Sequence, residues 1–374
     1  STGLADFVIP PDEMPSRLIE YFTHPYVAGD KSTGAILNNE DLLLRVFALI
    51  RERHRVDFTY YKMTTVVRRI ERRMSITRTA DLPEYISYLE SNPKEITLLY
   101  RELLIGVTNF FRDAEAFKEL EDSLLPELLR NRESEVRFWI AGCSTGEEAY
   151  SLTIAAVEVA NRHGISCDIK VFATDIDNDA VARAAAGTYP ESIAADVSPE
   201  ILSKYFYKRG DSFQVIREIR ERVVFAQHNL VRDAPFTNID LVSCRNLLIY
   251  LQPVLQRRAL ELFNFSLNKG GLLFLGSSET VGEMIEYFEP LDHRWKMYRS
   301  KGRRRLMLSE GGPPSPTWNT DGVRDWTNRA PAVSRRSRQE ERVLQRFLDF
   351  ASREYLPLVL ILDDQLQLLH TIGD

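Results

Sequence analysis

A short glycine-containing loop is the part of this sequence best suited to binding a charged small molecule. The segment RFWIAGCSTGEEAYS places Gly142 and Gly146 between an apolar run and a helical pattern, where parallel sheets commonly bind ligands. Glu147 and Glu148 follow at the helix N-terminus, the position that a phosphate group would need. Because two carboxylates repel phosphate, the loop favours a ligand with positive charge. S-adenosylmethionine has this chemistry, since it carries a sulfonium and an ammonium group.

A second acidic pair follows the next apolar run, residues 169–174. Asp175 and Asp177 stand where this run ends, and a carboxylate at the end of a second strand can accept hydrogen bonds from both hydroxyls of a ribose. The alternative is that Glu147 and Glu148 only complement the helix dipole and that Asp175 caps the following helix. The glycines do not form G-x-G-x-x-G, so the loop by itself leaves both interpretations open.

The pattern of residues 131–300 predicts a β-sheet that would hold these two loops at its edge. Apolar runs bounded by turn residues alternate with helical segments, which is typical of a parallel sheet covered by helices on both faces. The predicted strands are 136–141, 169–174, 239–243 and 271–276, and the predicted helices are 147–161, 179–186 and 253–267. Residues 205–224 predict short strands around a Gly210-Asp211 turn. We therefore expect a doubly wound, Rossmann-like α/β domain with a small antiparallel β insert near residues 200–225.

The rest of the chain divides by composition. Residues 31–130 carry apolar side chains at spacings of three and four, which predicts an N-terminal all-helical domain. Residues 1–30 are too short for a core, so we expect them to be the tail of a preceding domain. Residues 301–340 are rich in Arg, Gly, Pro and Ser and predict a linker. Residues 341–374 predict a helix and then a strand from Pro357, the start of a further domain.

Composition excludes several classes of function. The chain has 374 residues with 48 basic and 54 acidic side chains, a net charge of −6, which argues against a general binder of nucleic acid. Its three cysteines, Cys143, Cys167 and Cys244, lack the spacing of metal ligands. No apolar stretch is long enough to cross a bilayer, and the N-terminus lacks a signal pattern. We expect a cytoplasmic protein without a metal, a nucleic-acid partner or membrane insertion.

Six motifs, taken in order, resemble those of one known family. They are VTNFFRD, GCSTGEEAYS, FATDID, HNL, SCRNLLIY and GLLFLGSSE. With them, the chain resembles the CheR family from about residue 40 to residue 300. The members of that family are S-adenosylmethionine-dependent methyltransferases of chemoreceptor glutamates in bacteria. The resemblance implies S-adenosylmethionine as cofactor, S-adenosylhomocysteine as product, the cytoplasmic helices of chemoreceptors as partner, and a role in chemotaxis adaptation through glutamate methyl esters.

The resemblance also assigns a site, motif by motif. It implies that the cofactor is bound by Thr108, Arg112, Gly142, Glu148, Asp175, Asn229, Leu230, Arg245 and Asn246. Arg112 and Tyr250 would face the transferred methyl group and are the expected catalytic residues. Taken singly, Arg112 also suits a surface ion pair, Arg245 a structural ion pair, and Tyr250 a buried ring. The chain departs from the family at Gly106, where some members have Asn, and at Ala149, where Pro is usual.

A basic helix is the expected surface for the protein substrate. The segment YYKMTTVVRRIERRMSI places Arg68, Arg69, Arg72 and Arg73 along one side of a predicted helix. A solvated face partly neutralised by Glu71 is the alternative. The family's helical domain presents basic residues to Glu-rich receptor helices, so the resemblance favours docking. In some members the β insert also tethers a receptor peptide, but the short turn KRGDSFQ favours action without the tether here.

Both ends resemble other signalling domains, and two other functions stay open. Residues 1–26 look like the tail of a CheB methylesterase domain, and SREYLPLVLILDDQLQLLHTIGD is similar to the first strands of a PAS sensor domain. Ordinary tails that pack on the core are the alternative. The cofactor motifs do not specify the acceptor, so a methyltransferase of another signalling protein stays open. A scaffold that binds the cofactor without turnover also stays open, although Arg112, Arg245 and Tyr250 argue against it.

Overall fold

The computed structural model describes residues 9–16, 18, 36–37, 39–131, 135–230 and 232–302, with the backbone of 359–362 and 368–372. The chain divides into two compact units, residues 1–307 and 308–374. In the second unit, the strands Val359–Leu362 and Leu368–Ile372 pair antiparallel. The predicted helix after residue 340, nearly all of the predicted linker and most of the expected N-terminal tail lie outside the described residues. No helix in the described ranges has both the length and the apolar character that a membrane span requires.

The first unit begins with a helical domain that has its own core. Its helices are α1 (Glu40–His54), α2 (Met63–Thr77), α3 (Leu82–Ser91) and α4 (Pro93–Leu103). In α1 the buried side chains are Leu43, Val46, Phe47 and Ile50, which recur at the spacing of a helix face. Helix α3 begins after Asp81, whose carboxylate accepts a hydrogen bond from the Glu84 N–H. The predicted all-helical domain is confirmed.

A seven-stranded sheet forms the centre of the rest of this unit. The strands are β1 (Glu135–Ala141), β2 (Asp168–Asp175), β6 (Val223–Gln227), β7 (Ile239–Cys244), β8 (Leu267–Leu275), β9 (Phe288–Asp292) and β10 (Met297–Ser300), in the order β6-β2-β1-β7-β8-β10-β9. The first five strands of that order pair in parallel, and β10 pairs antiparallel with both β8 and β9. The predicted Rossmann-like domain is therefore confirmed, with an antiparallel edge that the alternating pattern does not predict.

The helices of this domain precede β1 or connect strands. They are α5 (Ala114–Glu119), α6 (Leu125–Arg130), α7 (Glu147–His163), α8 (Asn178–Ala186), α9 (Pro199–Tyr205), α10 (Arg217–Arg220) and α11 (Pro253–Ser266). Helix α7 follows β1 and α8 follows β2, so both begin at the carboxyl edge of the sheet, where such folds bind ligands.

The antiparallel insert is confirmed in a modified form. Its strands are β3 (Thr188–Pro190), β4 (Phe206–Arg209) and β5 (Ser212–Val215), with the order β3-β5-β4 and Gly210 at a φ of 55° in the turn. Residues 223–224 do not belong to it, because β6 pairs in parallel with β2 at the edge of the main sheet.

The boundary between the two domains lies near residue 105, not at 130. Helices α5 and α6 bury Phe117, Leu125 and Leu129 in the same core as Phe138 of β1 and Phe274 of β8. The core of the helical domain draws instead on residues between 36 and 104. Helical periodicity predicts these two helices correctly but does not indicate which core they join.

Candidate cofactor and active site

The glycine loop after β1 passes across the carboxyl edge of the sheet. The N–H groups of Gly142 and Cys143 both donate to the Thr174 carbonyl, at 2.8 and 2.9 Å. Gly142 has a φ of 79°, which strains any other residue, and a Cβ there would also lie 2.9 Å from Leu247 Cδ2. Gly146, with a φ of 95°, precedes α7. The loop thus turns the first residues of α7 toward the sheet edge.

A cavity opens at this edge, with walls from both domains. It is lined by Tyr61, Leu103, Leu104, Ile105, Gly106, Val107, Thr108, Arg112, Gly142, Ser144, Glu148, Asp175, Ile176, Asp177, Ala180, Arg245, Asn246, Leu247 and Tyr250. The structure therefore brings together the residues that the motifs predicted, with two exceptions, Asn229 and Leu230. The volume out to the open mouth is about 810 Å³.

Asn229 and Leu230 lie beside the cavity and not in its wall. They follow His228, whose N–H donates to the Asp175 carbonyl at 2.9 Å. The Asn229 N–H donates to the Asp233 carboxylate at 2.7 Å. Leu230 packs, partly buried, against the apolar core that contains Trp139 and Phe263. Their predicted contact with the cofactor stays a prediction.

Backbone N–H groups of two other residues hold the Asp175 carboxylate in a fixed orientation. Its Oδ2 accepts from the Ser144 N–H at 2.8 Å, and its Oδ1 accepts from the Asp177 N–H at 3.0 Å. Each oxygen keeps a second lone pair, which suits a ligand with two neighbouring hydroxyls. Burial raises the pKa of Asp175, and these backbone hydrogen bonds oppose the rise. The helix cap is Asp177 instead, since its Oδ1 accepts from Asp179 and Ala180 at the start of α8.

Arg245 is a buried ion-pair partner of two carboxylates. Its side chain is 1% exposed, and Nη2 donates to the Asp113 carboxylate at 2.6 Å and to the Arg112 carbonyl at 2.8 Å. Nη1 lies 3.4 Å from Glu148 Oε2, while the Ser243 hydroxyl donates to Glu148 Oε1 at 2.7 Å. Arg245 therefore fixes Glu148 in the cavity wall and ties the Arg112 segment to the end of β7.

The two neighbouring glutamates have different roles. Glu148 lines the cavity, whereas Glu147 is absent from its lining. The Thr145 hydroxyl lies 2.9 and 2.7 Å from the two carboxylate oxygens of Glu147, and burial raises the pKa of this carboxyl group. Only one carboxylate of the pair therefore faces the cavity.

Three polar side chains at the cavity come from loops. Arg112 Nη1 donates to the Val107 carbonyl at 3.1 Å. Tyr250 ends a short 3₁₀ turn, and its carbonyl accepts from the Lys62 N–H at 2.9 Å. Asn246 has a φ of 58°, and its Oδ1 is buried without a hydrogen-bond partner in the described part of the chain. This oxygen is available to a donor group of a ligand.

Sequence reasoning missed Tyr61, which reaches the cavity from the helical domain. Burial and the nearby charge of Asp175 raise the pKa of Tyr61 to about 12. Tyr61 also pairs in an isolated antiparallel bridge with Leu251, directly after Tyr250. No local pattern predicts this contact, because the two segments are far apart in the chain.

Arg73 does not belong to the predicted basic surface. Arg73 is 5% exposed, and its Nε and Nη2 donate to the two oxygens of Glu95 at 2.8 and 2.7 Å. The Tyr85 hydroxyl donates to the same carboxylate at 3.0 Å. Arg73 lies seven residues after the buried Val66 and three after the buried Ile70, so it lies on the core side of α2. Its assignment to a docking surface was wrong.

The other three arginines of α2 remain at least partly accessible. Arg68 is exposed, while Arg69 and Arg72 are partly buried. Arg69 Nη1 lies 3.4 Å from Glu102 Oε1, and Arg72 also contacts this oxygen. Arg68, Arg69 and Arg72 are called the α2 arginines below.

The polar groups of the cavity fit S-adenosylmethionine. Glu148, Asp175 and the unpartnered Asn246 Oδ1 offer acceptors for an ammonium group and for ribose hydroxyls. Apolar Ile176 and Leu247 supply surface for a base. A pyrophosphate group at the same edge would be repelled by the carboxylates of Glu148 and Asp175. Among the described residues, no cluster of potential ligands for a metal ion is present.

Comparison with known proteins agrees with this geometry. Residues 106–297 match the model of the CheR methyltransferase SAM-binding domain, and residues 41–104 match that of the CheR all-alpha domain. The chain belongs to the CheR methyltransferase family. The junction of the two CheR domains coincides with the change of core near residue 105, and most residues that line the cavity belong to the SAM-binding domain of this CheR chain.

Several curated relatives are similar to this CheR chain. Chemotaxis protein methyltransferase 2 of Vibrio cholerae is 33% identical over 238 residues, which are 62% of this chain and 82% of that protein. A chemotaxis protein methyltransferase of Listeria innocua is 31% identical, covering 62% and 87%. An uncharacterized 104.1 kDa protein of Rhodobacter capsulatus is 36% identical over 90% of this chain, which spans only 35% of that relative.

Proposed function

We propose that this protein transfers the methyl group of S-adenosylmethionine to glutamate side chains of bacterial chemoreceptors, giving methyl esters that serve adaptation. One observation carries the proposal: the cavity of a CheR SAM-binding domain holds Glu148 and Asp175 together with Arg112 and Tyr250 at one sheet edge. The chemotaxis methyltransferases among the relatives support the choice of acceptor.

The chemistry needs no general base. A glutamate side chain has an unperturbed pKa of about 4.3, so the acceptor is already ionised at neutral pH. Within the cavity lining that the structure describes, no His or Lys is present. When bound, the cofactor supplies a methyl group on a sulfonium, and the attacking carboxylate oxygen bonds to that carbon as the carbon–sulfur bond breaks and its electron pair stays on sulfur. The protein contributes alignment and the removal of water.

Arg112 and Tyr250 are assigned to orientation of the acceptor. Charge is consumed as the ester forms, so a strong ion pair with the substrate carboxylate would stabilise the reactant more than the transition state. The bond from Arg112 to the Val107 carbonyl keeps part of the guanidinium engaged with the protein. The neutral Tyr250 hydroxyl is able to donate a hydrogen bond to one carboxylate oxygen without adding charge.

Tyr250→Phe is expected to lower turnover roughly fivefold to tenfold and to leave cofactor affinity nearly unchanged, because it removes one hydrogen bond to the acceptor. Single-turnover methylation measures the first quantity, and calorimetry with S-adenosylhomocysteine measures the second. Tyr60→Phe is the matched control, since Tyr60 is a neighbouring tyrosine outside the cavity lining and should change neither. Equal losses of turnover and affinity in Tyr250→Phe would contradict the role.

The acceptor chemistry has a direct test. The protein is incubated with labelled S-adenosylmethionine and receptor-containing membranes, and the product is then treated with base. Carboxyl methyl esters release volatile labelled methanol, whereas methylated amines keep the label. Base-stable label would exclude glutamate as acceptor, and absence of transfer in the presence of bound cofactor would favour a scaffold.

The receptor is proposed to dock on the α2 arginines, whose charge complements Glu-rich receptor helices. Helix α2 begins beside Lys62, whose N–H bonds to the Tyr250 carbonyl, so a partner on α2 would lie close to the active site. We also propose a cytoplasmic location, where receptor helices carry the acceptor glutamates.

Arg68→Glu is expected to raise the KM for receptor about fivefold to tenfold, through one lost ion pair and added repulsion, and to leave cofactor binding intact. Arg68 is preferred to Arg72 because a reversed charge at Arg72 would lie against Glu102. The control is Lys269→Glu, which reverses an exposed cation near the start of β8, the end of that strand opposite the cavity. Equal changes of KM in the two variants would remove the docking surface.

The two ends carry a separate proposal. We propose that residues 1–30 correspond to the tail of a CheB methylesterase domain, that 301–340 form a linker, and that 341–374 correspond to the start of a PAS domain. The support is the sequence resemblance, together with the antiparallel pair of strands at 359–362 and 368–372.

A further inference from the structure

Glu279 is a buried carboxylate behind the cavity that the chemistry above does not use. It is 4% exposed, follows β8 in the segment GSSE, and is absent from the cavity lining. We propose that Glu279 is a positioning residue that holds residues 246–250 in their cofactor-binding conformation. The inference deepens the proposed function and rests on it. Residues 246–250 are called the 246–250 loop below.

Glu279 accepts hydrogen bonds from two backbone N–H groups of the 246–250 loop and from that of Gly276, directly after β8. Its Oε2 accepts from Gly276 at 2.7 Å and from Asn246 at 3.0 Å, and its Oε1 accepts from Ile249 at 3.3 Å. Convergent backbone N–H groups of this kind form a nest for an anion. Here the anion is a side chain of the protein, so the nest gives the loop one preferred shape.

Gly276 is required for this close approach. A Cβ at Gly276 would lie 2.8 Å from Glu279 Oε2 and 2.9 Å from the Asn246 nitrogen. Both distances are shorter than real Cβ contacts, so any side chain at this position would push the carboxylate away from the loop. The hydrogen bonds between Glu279 and the loop therefore require a glycine at position 276.

The loop turns at Asn246, whose backbone Glu279 binds directly. Asn246 has a left-handed φ of 58°, a conformation that asparagine tolerates better than most residue types. Without the carboxylate, the Asn246 N–H would lose its hydrogen-bond acceptor. The loop places Asn246 Oδ1 and Tyr250 at the cavity and Leu247 over Gly142. Glu279 thus acts on the cofactor through these three side chains.

Glu279→Gln tests the role with little change of shape. A glutamine offers one acceptor oxygen and turns its amide N–H₂ toward another donor, so the nest loses part of its hydrogen bonding. We expect affinity for S-adenosylhomocysteine, measured by calorimetry, to fall about tenfold, as for loss of a hydrogen bond to a charged group. Hydrogen exchange of the Asn246 and Ile249 amides should become faster in the same variant.

Asp240→Asn is the matched control. Asp240 is 2% exposed and accepts from the Arg137 N–H at 3.0 Å and from Asn268 Nδ2 at 2.8 Å. It lies at the start of β7, the end opposite the cavity. This variant loses a buried carboxylate in the same sheet, so it should lower the thermal stability while the affinity stays at the wild-type value. An affinity loss as large as that of Glu279→Gln would overturn the positioning role in favour of general loosening.

Two further measurements keep the proposal testable if Glu279→Gln does not fold. Gly276→Ala displaces the carboxylate from the other side and should cause a similar affinity loss; wild-type affinity would overturn the proposal. In the wild-type chain without ligand, slow exchange of the Asn246 and Ile249 amides supports it, and fast exchange overturns it. Failure of the wild-type chain to bind S-adenosylhomocysteine would count against the proposed function, whereas normal binding by Glu279→Gln would remove only the role of Glu279.

Discussion

Arg245→Leu is expected to lower the free energy of unfolding by about 3 kcal/mol or more and to abolish measurable cofactor binding. Leucine is apolar, so the substitution leaves Glu148 and Asp113 without their shared cation in a mostly buried site. The loss of the bond to the Arg112 carbonyl also releases the segment that carries Arg112 to the cavity. Urea denaturation and calorimetry with S-adenosylhomocysteine measure the two effects.

The matched control for Arg245 is Arg299 of β10, a partly exposed arginine that also pairs with a carboxylate. Arg299 Nη2 lies 2.8 Å from Glu127, but both side chains are partly solvated, with 31% and 50% exposure. Arg299→Leu should therefore cost at most about 1 kcal/mol, the usual range for an exposed pair. If Arg245→Leu is as stable as Arg299→Leu and still binds the cofactor, Arg245 has no positioning role.

Asp175→Asn is expected to weaken binding of S-adenosylhomocysteine about a hundredfold, which corresponds to roughly 3 kcal/mol. The carboxylate accepts one backbone N–H on each oxygen and has a free lone pair on each for the ligand. An asparagine must turn its N–H₂ toward either Ser144 or Asp177, so one acceptor is lost and a donor meets a donor. Two charge-assisted hydrogen bonds to the ligand are weakened together.

Asp240→Asn is also the control for Asp175→Asn, because it shows whether the loss of any buried carboxylate in the sheet weakens binding. It makes the same chemical change at a buried aspartate that also accepts a backbone N–H, at the far end of β7. Calorimetry on both variants should show the affinity loss only for Asp175→Asn. Wild-type affinity in Asp175→Asn would mean that this carboxylate does not hold the ligand.

The sequence predicted the elements of the α/β domain because their signals are local. The strands β1, β2, β7 and β8 are short apolar runs, and α7 and α11 begin within a few residues of their predicted starts. The strands β9 and β10 carry weaker apolar patterns and pair antiparallel, which alternation of strand and helix does not predict. The predicted insert includes the first two residues of β6, because the pairing of β6 with β2 joins segments that are remote in sequence.

Individual side chains were predicted less well than the site as a whole. The motifs indicated Glu148, Asp175 and Tyr250 because the ends of parallel strands meet at one edge. The burial of Arg73 depends on Glu95, 22 residues later, and the charge pattern of α2 alone makes all four of its arginines look alike. Glu279 belongs to the motif GLLFLGSSE, but the motif does not indicate which backbone N–H groups its carboxylate binds.

For this protein, the sequence by itself determined the order of helices and strands, the acidic glycine loop and the resemblance to CheR methyltransferases, because each depends on neighbouring residues. Only the tertiary structure decided what the charged side chains do. Arg245 and its partner Asp113 are separated by 132 residues, and Glu279 meets Asn246 across 33 residues. Whether a charge binds a ligand or holds the protein together depends on which group the fold places within hydrogen-bond distance of it, and spacing along the chain carries no such information.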